Sequence, residues 1–92
     1  MHFVISCIDK PGQPELRQAM RPDHIKYLND YENKIVAVGP TLDGEMPNGS
    51  VIIIELDDLD AAKVFADGDP YFKAGVFESV SIKIWKKVFP KD

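Results

Sequence analysis

The sequence is poor in the residues that build several common kinds of site. It has one cysteine, Cys7, and two histidines, so an internal disulfide is impossible and no His/Cys cluster has the spacing of a zinc site. It also lacks a glycine-rich phosphate loop and a nucleotide-binding motif. We therefore expect no metal and no cofactor. Because Cys7 lies inside an apolar run, we interpret it as a small buried hydrophobic residue.

Basic clusters and long apolar runs are missing as well. The formal net charge is −4, and lysines and arginines are not grouped among aromatic residues, so we expect no nucleic-acid partner. The apolar runs are too short to span a bilayer, and the first residues carry no basic segment typical of a signal peptide. We therefore expect a cytoplasmic protein without a membrane partner. The length and the hydrophobic fraction of 45% predict a single domain over residues 1–92.

Four short stretches have the patterns of β-strands. Residues 3–8, 35–38 and 51–56 are apolar and rich in strand formers, and residues 76–89 include an alternation of apolar and polar side chains. The first and third stretches are apolar at consecutive positions, which predicts strands buried on both faces. The polar segment 41–48 is rich in turn residues and is interpreted as a loop or a wide hairpin.

Helical patterns separate these strands. Pro22 suits the first position of a helix, so we expect a helix from there to about residue 33, preceded by a separate short turn over residues 15–20. The pair Asp57-Asp58 supplies an N-cap for a second helix, which would end at Gly68. Asp69 and the proline that follows it repeat the pattern of a cap and a first helical position, and they predict a further short turn.

The resulting order is β-α-β-β-α-β, which is the ferredoxin-like plan of an α+β fold with a four-stranded antiparallel sheet. In this plan the first and third strands are central and the last strand is an edge. Two helices can cover only one face of such a sheet, so apolar residues on the other face would meet water. A second copy of the chain is the simplest cover, and we therefore predict an isologous homodimer that packs through the sheet face.

His24 is the candidate residue for chemistry. It is expected to share an inward helical face with Tyr27, Leu28 and Tyr31, which follow it by three, four and seven residues. A ring that titrates near neutral pH would then be carried toward the interior, where it could act as a general base. The alternative is a buried histidine with a purely structural role, which is the more frequent case for a lone histidine on such a face.

The ordered set of motifs resembles the YCII (YciI-like) family over nearly the whole chain. The stretches that carry the resemblance are residues 21–25 (RPDHI), 38–40 (VGP), 48–50 (NGS), 65–78 (FADGDPYFKAGVFE) and 80–89 (VSIKIWKKVF). Three features depart from the family pattern. Gly68 stands where alanine is frequent, Ile84-Trp85 replaces a frequent Pro-Phe pair, and the segment from Thr41 to Gly49 is short.

The resemblance implies a dimeric α+β barrel of ferredoxin-like subunits and a His–Asp pair, which corresponds here to His24 and Asp69. One characterised reaction of the family is dehydrochlorination of a chlorinated hydroxyhydroquinone, and this reaction needs a base but no cofactor. Asp69 has an alternative interpretation, because an aspartate before a proline is a common helix N-cap. One carboxylate could also do both, with one oxygen capping the helix and the other meeting the imidazole.

Six further residues are candidates for substrate binding: Arg21, Gly39, Pro40, Ser50, Tyr71 and Phe77. Arg21 could neutralise an anionic oxygen, Gly39 could admit a ligand close to the backbone, and Ser50 could donate a hydrogen bond. The aromatic residues could stack on a flat ring. Each has a structural alternative: a solvated arginine, a turn glycine, a hydroxyl at the end of a loop, and core or dimer packing.

Two functions remain open at this stage. The first is a small cofactor-free enzyme that uses His24 and Asp69 for acid–base chemistry on a small, aromatic or polyphenolic substrate, with loss of HCl as the most specific hypothesis. The second is a non-catalytic domain that binds a small ligand or accompanies another protein, because dimeric ferredoxin-like folds serve both purposes.

Overall fold

A four-stranded antiparallel sheet with the strand order β2-β3-β1-β4 forms the framework of the computed structural model, which describes residues 1–91. This is the ferredoxin-like α+β fold, and the predicted positions of the central strands β1 and β3 are confirmed. In chain order the elements are β1 (His2–Asp9), α1 (Pro14–Asn29), a 3₁₀ turn (Glu32–Lys34), β2 (Ile35–Asp43), β3 (Met46–Glu55), α2 (Leu59–Gly68), α3 (Pro70–Lys73) and β4 (Phe77–Trp85).

The two faces of the sheet differ in how far they are buried. Alternate residues of the central strands, among them Ile5 and its cross-strand partner Ile52, are almost fully buried and pack with Phe65 of α2 in the core. Their neighbours on the opposite face, such as Val4 and Ile53, are only half-buried within one chain. Burial of the central strands on both faces, as the sequence predicted, is therefore not achieved by a single chain.

Helix α1 is longer than the sequence predicted. It is continuous from Pro14 to Asn29, so the expectation of a helix that begins at Pro22 was wrong. Pro14 provides the proline at the helix start, while Pro22 lies inside the helix on its exposed side. A proline there removes one intrahelical hydrogen bond, but water can satisfy the freed carbonyl of Gln18 on an exposed face. His24 therefore lies in the second half of a long helix instead of its first turn.

The segment between β2 and β3 is a tight hairpin. The two strands extend to the paired residues Asp43 and Met46, so residues 41–48, predicted as a loop or a wide hairpin, form a hairpin with a turn of two residues. Gly44, the first turn residue, has a φ of +63°, which glycine adopts without steric cost at this position. The last strand also differs from its predicted extent, because it ends at Trp85 and not at residue 89.

Both of the predicted aspartate caps are present. The Asp58 carboxylate accepts the Ala61 N–H at 2.8 Å and begins α2, and the Asp69 carboxylate accepts the Tyr71 N–H at 2.9 Å and begins α3. Because α3 starts directly after α2, Asp69 is held at the junction of two helices.

The helices of residues 1–91 include none that is long and apolar enough to cross a membrane.

At two glycines, a Cβ atom would meet a neighbouring group. A Cβ atom at Gly49 would collide with the backbone carbonyl oxygen of Cys7 on the adjacent strand. A Cβ atom at Gly68 would lie 2.5 Å from the hydroxyl oxygen of Tyr27, which donates a hydrogen bond to the Phe65 carbonyl at 2.9 Å. Alanine at position 68 would therefore require this tyrosine to move.

Candidate active site

His24 and Asp69 form a buried hydrogen-bonded pair. His24 projects from the buried side of α1, four residues before Leu28, and Asp69 reaches it from the start of α3. The Nδ1 atom of His24 lies 2.9 Å from Oδ1 of Asp69, and the two side chains are 6% and 3% exposed. The sequence placed these residues 45 positions apart, and the fold brings them into contact.

One oxygen of Asp69 makes both contacts. Oδ1 accepts the hydrogen bond from His24 and also accepts the backbone N–H of Tyr71. The expected division of these two tasks between the two carboxylate oxygens is therefore not found. Because the Tyr71 N–H also holds this oxygen, the carboxylate is positioned to orient the imidazole.

The arrangement determines which nitrogen of His24 can act on a ligand. A carboxylate can only accept a hydrogen bond, so in the neutral ring the hydrogen is on Nδ1 and the lone pair is on Nε2. Nε2 has no hydrogen-bond partner within residues 1–91. In the same residues, every fully buried side-chain nitrogen or oxygen has a partner, so Nε2 cannot be fully buried. Nε2 therefore borders open space, and it is available as a base.

Tyr71 packs directly on the imidazole. The two rings are stacked, with centroids 3.9 Å apart and an interplanar angle of 10°. The guanidinium carbon of Arg17 lies 4.7 Å from the centroid of the same tyrosine ring. Tyr71 therefore contacts both the histidine and a buried cation. Burial raises the pKa of the Tyr71 hydroxyl above its ordinary value, although Arg17 and Arg21 act in the opposite direction. The hydroxyl therefore stays protonated at neutral pH.

Arg17 is a part of the site that the sequence analysis missed. Its Nη1 atom donates to both oxygens of Asp9 at 2.8 and 2.9 Å, and its Nη2 atom donates to the Gly49 carbonyl at 3.0 Å and to the Ser50 hydroxyl at 2.7 Å. Arg17 precedes His24 by seven residues, which places both on one face of a continuous helix. That spacing was available as a signal, but the expected break at Pro22 concealed it.

These residues border a cavity of about 530 Å³ between α1 and the β2–β3 hairpin. Five of the six predicted substrate-binding residues line it: Arg21, Gly39, Pro40, Ser50 and Tyr71. Phe77 is not part of the lining. It is buried and packs edge-on against Tyr71, with ring centroids 5.9 Å apart. His24 and Arg17 line the cavity as well, whereas Asp69 reaches the cavity only through His24.

The cavity wall is largely apolar, with polar groups at a few points. Apolar side chains come from both sides, including Leu28 of α1 and Met46 of the hairpin, and Arg21 is exposed at one side. This composition suits a small organic ligand with a few oxygen atoms. Groups of three or more histidine, cysteine or acidic side chains that could hold a metal ion do not occur in residues 1–91.

The comparisons with known proteins identify the family. A model of the YCII-related domain matches residues 1–86. The chain belongs to the YCII family. Protein YciI of Escherichia coli O6:H1 is 40% identical over 99 aligned residues, which cover 97% of this chain and 100% of that protein. The resemblance read from the sequence motifs is therefore confirmed.

Solved structures agree with this assignment. This YCII domain is similar to 5-chloro-2-hydroxyhydroquinone dehydrochlorinase (TftG) from Burkholderia phenoliruptrix AC1100, solved in complex with 2,5-dihydroxybenzoquinone, with a TM-score of 0.88 and 33% identity over 94% of each chain. SnoaB, a cofactor-independent oxygenase from Streptomyces nogalater, matches with a TM-score of 0.54 and 15% identity over 98% of this chain and 96% of that one. The second similarity shows the shared fold alone.

Cys7 lies close to the site, but its thiol stays protonated and is therefore unreactive. Burial raises the pKa of its thiol from about 9 to about 12, and the nearby carboxylates of Asp69 and Asp9 act in the same direction. The thiol is therefore neutral in the folded protein under conditions in which an unfolded chain would already ionise. This agrees with the interpretation of Cys7 as a buried hydrophobic residue.

We expect this thiol to make the stability of the wild-type protein depend on pH in the alkaline range. The folded pKa is the higher one, so the contribution is complete below pH 9 and is lost as the pH rises from about 9 to about 12. Urea unfolding of the wild type and of Cys7→Ala at a series of pH values checks this. The free energy of unfolding should fall more steeply for the wild type in this range, and parallel curves would contradict the prediction.

Proposed function

We propose that this YCII domain is a small cofactor-free enzyme in which the His24–Asp69 pair performs general acid–base chemistry on an aromatic, polyphenolic substrate. The observation that carries the proposal is the buried pair itself, with Nδ1 of His24 bound to a carboxylate and Nε2 open to a cavity. A histidine oriented in this way is a suitable base at neutral pH. The similarity to the TftG dehydrochlorinase supports the same class of reaction.

The most specific reaction that we propose is the loss of HCl from a chlorinated hydroxyhydroquinone. His24 takes a phenolic proton through Nε2 and returns it to the ring carbon that carries chlorine, which gives a ketone. A remaining hydroxyl then loses its proton to His24 while the ring expels chloride. The products are a hydroxyquinone, chloride and one proton, so the reaction requires no oxidant or reductant. Asp69 stabilises the imidazolium that forms in each proton transfer.

Chloride release from 5-chloro-2-hydroxyhydroquinone tests this proposal. The substrate is incubated anaerobically with the purified protein, and chloride is measured together with the absorbance of the quinone that forms. The proposal predicts equal amounts of chloride and quinone at a rate that depends on protein concentration. A rate equal to that of buffer alone would reject this reaction. A measurable affinity for the compound without turnover would instead favour the non-catalytic binding domain.

We further propose that the functional unit is a homodimer packed through the sheet face that the helices leave uncovered. This face carries half-buried apolar residues of the central strands, among them Val4, Val51 and Ile53, together with Ala37 of β2. A second copy of the same face would remove them from water, and it would make the interface isologous.

The dimer can be tested by sedimentation equilibrium or light scattering. We expect the wild-type protein to have about twice the chain mass of 10.3 kDa, and Ile53→Glu to reduce it to a monomer, because a buried unpaired carboxylate is costly at such an interface. Val64→Glu is the matched control, since Val64 is 68% exposed on α2 in the helical layer. A monomeric wild type, or a dimer that survives Ile53→Glu, would contradict the proposal.

A further inference from the structure

Arg17 determines whether the Ser50 hydroxyl accepts or donates a hydrogen bond. Nη2 of Arg17 lies 2.7 Å from the Ser50 oxygen, and a guanidinium group can only donate hydrogen bonds. The serine oxygen therefore accepts, and its own hydrogen must point elsewhere. It has no acceptor among the hydrogen bonds of residues 1–91, and Ser50 lines the same cavity as His24. The Ser50 hydroxyl, whose oxygen is polarised by a cation, is therefore available to donate to a ligand in the cavity.

The charge of Arg17 is neutralised by Asp9, and its guanidinium group is held in place by hydrogen bonds. Both oxygens of Asp9 accept from Nη1, and the Gly49 carbonyl accepts from Nη2, so the guanidinium is fixed on two sides before any ligand arrives. The side chains of Arg17 and Asp9 are 10% and 11% exposed. Because Asp9 already neutralises Arg17, the guanidinium does not require an anionic ligand. Because the Arg17 side chain is already fixed, it can orient the Ser50 hydroxyl without losing further conformational freedom.

The cavity wall therefore carries two polar groups of opposite kind. His24 offers a proton acceptor at Nε2, and Ser50 offers a proton donor at its hydroxyl, with the ring of Tyr71 adjacent to both His24 and Arg17. A proton taken from one oxygen of a conjugated ring leaves negative charge that spreads to the ring's other oxygens. A fixed donor at such an oxygen stabilises the charge as it develops.

We infer that Ser50 binds a second oxygen of the ligand while His24 deprotonates the first, and that Arg17 acts through Ser50 as the residue that positions and polarises it. The inference rests on the proposed acid–base function, and it assigns separate partners to two conjugated oxygens of the polyphenolic substrate, His24 to one and Ser50 to the other. Ser50 is then a ligand-contacting residue, Arg17 a positioning residue, and Asp9 the anchor of Arg17.

The test measures the affinity of 2,5-dihydroxybenzoquinone, an oxygen-rich flat ring, for the wild type, Ser50→Ala, Arg17→Lys and the double variant by calorimetric titration. Ser50→Ala should raise Kd about 10- to 100-fold, which is the range for a hydrogen bond to a charged group. Ser50→Thr retains the hydroxyl and should restore most of the affinity. Arg17→Lys should cost about 10-fold in the wild-type background but less than about twofold beside Ser50→Ala, because its effect passes through that hydroxyl.

Three outcomes would overturn the inference. These are a Ser50→Ala affinity within about twofold of the wild type, an Arg17→Lys loss of equal size in both backgrounds, and no binding to the wild type at about 1 mM. If Arg17→Lys does not fold, as judged by thermal melting, the comparison of Ser50→Ala with Ser50→Thr still decides the matter. Failure of the proposed function is distinguishable, because it appears as absent chloride release from the wild type and not in this binding series.

Discussion

Replacement of His24 by glutamine should lower the rate of chloride release from 5-chloro-2-hydroxyhydroquinone by about 10²- to 10⁴-fold, which is the usual contribution of a general base. Glutamine can still donate a hydrogen bond to the Asp69 carboxylate, so the fold should be kept while the basic nitrogen at Nε2 is lost. The measurement is the initial rate at saturating substrate, with thermal melting as a check of folding.

The chain offers a matched control, since it has only one other histidine. His2 lies on β1, where its ring meets Trp85 edge-on and its Nε2 atom lies 3.8 Å from Glu55. It does not line the cavity, so His2→Gln should leave the rate unchanged. A His24→Gln variant that folds and retains the wild-type rate would remove the basis of the proposed mechanism.

The largest effect on stability should come from Arg17→Met. This change leaves the Asp9 carboxylate largely buried without its partner, and it also removes the donors to Gly49 and Ser50. Loss of one member of a buried ion pair typically costs about 3–5 kcal/mol in the free energy of unfolding. Urea unfolding of the wild type and the variant measures this loss.

The double variant Asp9→Leu/Arg17→Met separates the charge effect from a loss of packing. It removes both charges, so most of the stability lost in Arg17→Met should return, because an uncompensated buried carboxylate is no longer present. A double variant that is less stable than Arg17→Met would show that packing and not charge dominates. A loss below about 1 kcal/mol for Arg17→Met would show that the pair is effectively solvated.

The sequence was sufficient for the type and order of the main strands and helices, because these elements carried local signals. The apolar runs at β1 and β3 predicted the central strands, and Asp58 and Asp69 predicted the helix caps that the structure contains. These signals depend on neighbouring residues, so they can be read without knowledge of tertiary contacts. The family resemblance then pointed to Asp69 as the partner of His24, which local pattern alone could not do across 45 positions.

The parts of the site that were missed depend on tertiary context. Pro22 was expected to begin a helix, but an exposed face tolerates a proline in a helix interior, and exposure is a property of the folded chain. Arg17 was not noticed, because its value lies in partners that are 8, 32 and 33 positions away in the sequence. A charged residue on a helix gives no local sign that its charge is buried and paired.

The position of the β2–β3 turn has a consequence for how substrate range can diverge within the family. Arg17 of α1 donates hydrogen bonds to Asp9 at the end of β1 and to Gly49 of β3, so a single replacement in this part of the cavity wall should be costly in stability. Met46, immediately after the turn, lines the cavity and is 54% exposed, so its replacement should disturb the core much less. We expect insertions or replacements there to reshape the cavity wall without moving His24 and Asp69, the pair proposed to transfer protons, so variation in selectivity should accumulate at this hairpin.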